Sequence, residues 1–143
     1  MRKLAGYAGL VVGVVAVVMS VYHVYARLTV YAPDQQALLY ITLAFSLVLS
    51  FLLWPRRKDA PSDRVPWEDL ALAGLSLACI GYMFVNYDYI VNRFPTADPL
   101  TRMDMVVGIT ATLLVLEATR RTIGAALPIV AIVFLLYAFA GPW

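Results

Sequence analysis

The chain has 143 residues, of which 62% are hydrophobic, with a mean hydropathy of +0.79 and a formal net charge of +2. Ordinary soluble domains are about 45–50% apolar, and a small domain leaves too much of itself at the surface to hide such an excess, which argues against a soluble fold. The small charge, with no basic patch interleaved with aromatic residues, argues against a nucleic-acid partner.

The apolar residues fall into five stretches: Leu4–Ala26, Gln36–Trp54, Trp67–Tyr87, Arg102–Thr119 and Gly124–Ala140. Each is about 17–23 residues long, which as a helix reaches about 26–35 Å and matches a hydrocarbon core about 30 Å thick. The expected fold class is therefore an all-α integral membrane protein.

The first stretch follows Arg2 and Lys3, as a signal peptide would. It runs past signal-peptide length, and no Ala-x-Ala site closes it, so it reads as a retained helix that also directs insertion. Ala5, Gly9 and Gly13 recur every four residues along it, a stripe that lets helix backbones approach closely in lipid. The abundance of small residues in membrane helices accounts for the same repeat. Gly74, Ala78 and Gly81 form a weaker version in the third stretch.

Lys and Arg collect on alternate connections. Residues 55–66 carry Arg56, Arg57, Lys58 and Arg64, and the fourth connection carries Arg120 and Arg121. The first connection has Arg27 with Asp34, and the third has Arg93 against Asp88 and Asp98. Cytoplasmic loops are the positive ones. The alternation predicts five spans, with the N-terminus, the second loop and the fourth loop in the cytoplasm and Trp143 outside. Local signals agree. Thr101 and Asp104 have capping-box spacing, and Pro66 with Glu68 and Asp69 fits a helix start. Trp54, Trp67, Tyr87 and Tyr89 fall at span ends, where aromatic rings prefer the headgroup layer.

Chemistry-bearing groups are sparse. Cys79 is the single cysteine, so the chain forms no internal disulfide and no paired-cysteine metal site. His23 is the single histidine and reads as a structural or interfacial residue. The middles of the first, second, third and fifth stretches hold no Asp, Glu, Asn or Gln, and hydroxyls in such helices usually bond their own backbone. A transporter core needs polar groups and broken helices near the midplane. No catalytic set, metal site or cofactor motif is visible, so the chain is not expected to be an enzyme. The most unusual polar group is Glu117 with Arg120 and Arg121, at spacings that place them on one helix side. It reads as a helix-end salt bridge with cytoplasmic anchoring, or as a contact to a partner subunit or lipid headgroup.

The segments Asp104–Gly108, Val115–Gly124, Ala126–Ile129 and Phe134–Ala138, followed by Gly141-Pro142, resemble the N-terminal region of TAXI-type permeases. These belong to the TRAP (tripartite ATP-independent periplasmic) transporters of bacterial inner membranes. Asn86-Tyr87-Asp88 is similar as well. The resemblance implies that residues 1–123 are the small (Q-type) unit, a bundle of four transmembrane helices, and that residues 124–143, opening at Gly124, form a connecting helix. It also implies sodium-coupled uptake of organic acids, in which this chain holds a large (M-type) transport subunit fed by a periplasmic substrate-binding protein, with membrane lipids filling the contacts. The chain would be a separate subunit or a fragment of a fused permease. Rival readings are the small membrane subunit of a tripartite tricarboxylate transporter and a stand-alone homo-oligomeric channel or exporter.

Overall fold

A computed structural model describes residues 7–29, 33–55, 65–94 and 98–141. Arg2, Lys3, Ala5, the charges between positions 56 and 64, Pro95, Pro142 and Trp143 lie outside them. The described residues form six helices and no strand: α1 (Tyr7–Leu28), α2 (Gln35–Leu53), α3 (Trp67–Val85), α4 (Tyr87–Asn92), α5 (Arg102–Thr122) and α6 (Ala126–Ala140).

Three of them, α1, α2 and α3, are long and apolar enough to cross a membrane, which is compatible with a membrane protein. Helix α5 has the length, with 21 residues, but carries Arg102, Asp104, Glu117, Arg120 and Arg121. Helix α6 is apolar but has only 15 residues, about 22 Å of helix.

The helix starts follow from caps. The Asp34 carboxylate accepts from the Ala37 N–H at 3.3 Å and opens α2. The expected capping box is present at α5. The Asp104 N–H donates to Thr101 Oγ1 at 3.2 Å, and the Thr101 N–H donates to Asp104 Oδ2 at 3.0 Å. Pro66 is the residue before α3 rather than inside its first turn.

Two boundaries differ from expectation. The third stretch does not run unbroken to Tyr87. At Asn86 the backbone leaves helical geometry, at φ −101° and ψ 24°, and α3 ends there; its N–H and its side-chain amide both donate to the Tyr82 carbonyl, at 3.1 and 3.0 Å. Helix α4 then starts at Tyr87. The fifth stretch does not begin its helix at Gly124. That residue sits at φ +108°, in the left-handed region that glycine occupies without penalty, and it forms the turn between α5 and α6.

Helix α2 is central, packed against α1, α3 and α5. The core joins Tyr40, Leu47 and Phe51 of α2 with Ala73, Cys79 and Ile80 of α3 and Leu114 and Ala118 of α5. Tyr40, Leu47 and Phe51 step by seven and four residues, Ala73 and Ile80 by seven, and Leu114 and Ala118 by four, so each helix turns one stripe inward. Ser76 lies within that core and donates to the Leu72 carbonyl at 2.8 Å, so its hydroxyl is satisfied by its own helix. Thr110 and Thr112 do the same with Val106 and Gly108. Much of the remaining surface is apolar: Leu10, Val14, Val17 and Val21 of α1 are exposed, as are Phe134, Leu136 and Phe139 of α6.

Candidate functional site

Polar side chains gather at the two ends of the bundle. At one end stand Asp69, at the start of α3, and Arg121, in the last turn of α5. Arg121 Nη1 donates to Asp69 Oδ1 at 2.7 Å, and Arg121 Nε donates to Glu117 Oε1 at 2.9 Å. The same Nη1 lies 3.4 Å from the Trp54 carbonyl at the end of α2. The guanidinium carbon stands 5.1 Å from the centre of the Phe51 ring, a cation–π arrangement. The Arg121 and Asp69 side chains are 1% and 2% exposed. Arg120 faces outward and grips Glu117 in two-point fashion, Nε to Oε2 at 2.7 Å and Nη2 to Oε1 at 2.8 Å. The cluster thus joins α2, α3 and α5 through charge-assisted bonds.

The sequence-selected residues separate here. Glu117, Arg120 and Arg121 form one network, as their spacing implied. Gly124 lies just beyond it, in the turn. Gly9 and Gly13 do not join it. Gly13 faces outward, and a Cβ placed on it would meet nothing within 4 Å. Gly74 and Gly81 of α3 are likewise exposed. Among the described residues Gly13, Gly74 and Gly81 seat no neighbouring helix.

Asp69 was missed as a member of the network, because it read as a helix-start carboxylate. The available signal was its phase. Asp69, Ala73, Ser76 and Ile80 follow one another by four, three and four residues, along the stripe that α3 buries. Glu68, one residue earlier, is exposed.

At the opposite end a second network ties α3, α4 and α5. Asp104 Oδ1 accepts from the Tyr82 hydroxyl at 2.9 Å, and Oδ2 accepts from the Tyr89 hydroxyl at 3.2 Å. Arg93 Nη1 stands 3.9 Å from the same oxygen. Beside it the Tyr87 hydroxyl donates to Asp34, linking α4 to the start of α2. That hydrogen bond is the main reason the Tyr87 phenol is pushed up to about 12, burial and the Asp34 charge adding to it. Tyr40 packs edge-on against both Phe84 and Tyr87.

Between the ends, a cross-helix polar contact joins α1 to α2. His23 Nε2 lies 2.7 Å from Thr42 Oγ1, while Nδ1 lies 2.7 Å from the Met19 carbonyl. His23 thus bridges α1 and α2. Among the described residues no group of three or more His, Cys, Asp or Glu side chains is placed to hold a metal ion. No family model matches the chain, and neither curated proteins nor solved structures provide a match.

Proposed function

We propose that this chain is the small, Q-type membrane subunit of a TRAP secondary transporter of the TAXI type. It scaffolds the large transport subunit for sodium-coupled uptake of organic acids from a periplasmic binding protein. The observation that supports this reading most is the placement of the polar groups. The charged networks among the described residues lie at the two bundle ends and lock helices to one another. A static frame needs such locks, whereas a substrate site needs groups near the midplane. Helix α5 supports a fourth crossing. It meets Tyr82 of α3 with Asp104 and meets Asp69 of α3 with Arg121, so it runs the length of that helix.

In this reading the Arg120–Arg121 end faces the cytoplasm and the Asp34–Asp104 end the periplasm of a bacterial inner membrane. Helix α6 leads toward the large subunit, and its exposed apolar surface fits a protein or lipid neighbour.

The test is reconstitution in proteoliposomes under a sodium gradient, with the chain alone, with the large subunit, and with the binding protein added. Uptake is expected only in the full assembly. Uptake by the chain alone would replace the scaffold with a stand-alone transporter. Accessibility of cysteines introduced at positions 60 and 143, in a Cys79→Ser background, tests the orientation. Both positions on the same side of the membrane would remove the five-span arrangement.

A further inference from the structure

A cavity of about 370 Å³ opens at the Asp104 end, between α3, α4 and α5. One wall is polar, formed by Tyr82, Asp104 and Arg93. The rest is apolar, from Met83, Ile90, Val107 and Ala111, with Gly108 leaving the floor open. The polar wall is unbalanced in one direction. Asp104 is already satisfied, accepting from the Thr101 N–H and from two tyrosine hydroxyls within 3.2 Å. Arg93 is not. Its nearest carboxylate oxygen is 3.9 Å away, and its Nε–H is buried without an acceptor. A buried donor without an acceptor is costly, and the guanidinium that carries it, 19% exposed and beyond hydrogen-bond distance of Asp104, has donors to offer an anion at the cavity.

We infer that this cavity binds the phosphate of a membrane lipid, held by the Arg93 guanidinium, with an acyl chain lying along the apolar wall toward Ala111. Guanidinium geometry suits a phosphate, whose oxygens can accept from the accessible Nη–H donors. The apolar remainder of the cavity distinguishes a lipid from a free anion, because inorganic phosphate has nothing to place against Met83, Ile90 and Val107. This inference is independent of the transporter reading, since it concerns the isolated chain.

The experiment is native mass spectrometry of the detergent-purified chain with dioleoylphosphatidylglycerol, with dioleoylglycerol, and with the phospholipid plus excess inorganic phosphate. One phospholipid per chain should be retained. Dioleoylglycerol, which has the chains without the phosphate, should be retained about tenfold less. Arg93→Gln should cause a similar loss. Gly108→Leu should do so as well by filling the floor, and it leaves the guanidinium untouched; a Cβ there meets nothing within 4 Å. If Arg93→Gln does not fold, the Gly108→Leu arm decides alone. Undiminished retention by a folded variant, or equal retention of dioleoylglycerol, would overturn the site. Displacement of the phospholipid by inorganic phosphate would overturn the lipid assignment in favour of a free anion.

Discussion

Arg121 and Asp69 are 52 residues apart in sequence and 2.7 Å apart in space, each with a side chain almost wholly removed from solvent. This pair fixes the register of α5 against α3. It also explains how α5 carries charge into the bundle, because each carboxylate that reaches Arg121 lies within hydrogen-bond distance.

Breaking a buried pair by removing one partner typically costs about 3–5 kcal/mol, because the remaining charge stays buried. Asp69→Asn should destabilise the chain toward the lower end of that range, about 3 kcal/mol, because Arg121 keeps the Glu117 carboxylate at 2.9 Å. The double variant Asp69→Leu with Arg121→Met replaces the pair by apolar volume and should recover most of the loss. Unfolding in detergent, followed by circular dichroism, measures both. A double variant no better than the single one would mean that the pair contributes favourable energy beyond avoiding a stranded charge.

The helices were legible because their signals are local. Composition and periodicity mark α1, α2 and α3, and Thr101 with Asp104 marks the start of α5 through a three-residue relationship. The end of α3 was not legible, because a single polar residue, Asn86, marks the change of backbone direction at the end of an apolar run that continues to Tyr87. The charged network was half legible. Glu117, Arg120 and Arg121 are neighbours along one helix, whereas Asp69 joins them only through packing of α3 on α5. The same limit hid Arg93 and Asp104, which tertiary structure alone brings together.

Gly124 offers a clean test of backbone conformation. It stands at φ +108°, and a Cβ there would touch nothing within 4 Å. A substitution is therefore charged for the dihedral and not for a clash. Gly124→Ala should destabilise the α5–α6 turn by about 1–2 kcal/mol, and Gly124→Asn by less, since Asn tolerates left-handed backbone better. Limited proteolysis of the turn and thermal unfolding report this. Equal effects from Ala and Asn would show that the turn shifts to a different conformation.

The Tyr87–Asp34 link sets a pH dependence. The phenol is raised from 10.0 to about 12 in the folded chain. A raised value means that the neutral form is favoured by folding, so the contribution is complete below about pH 10 and is lost as pH rises toward 12. Site-resolved ¹³C NMR of labelled tyrosines should find this residue titrating last or among the last of the nine. Tyr87→Phe should remove that signal, and Asp34→Asn should return it toward 10. A Tyr87 that titrates at 10 in the native chain would mean that the hydroxyl does not hold Asp34 in solution.

Glu117 should rank well below Asp69 in stability, although both reach Arg121. Its side chain is 25% exposed, and its two-point partner Arg120 is 43% exposed, so solvent screens much of that interaction. Glu117→Gln leaves Arg121 paired with Asp69 and leaves Arg120 free to turn toward solvent. The expected loss is about 0–1 kcal/mol for the Arg120 pair, and Arg120→Gln should be similar. On the proposed transporter reading, the same variant in the reconstituted assembly should lower complex stability slightly and leave substrate preference unchanged. A loss as large as that of Asp69→Asn would make Glu117 the principal counter-charge of Arg121. A changed substrate preference with intact assembly would place Glu117 on the transport path and end its assignment as a structural carboxylate.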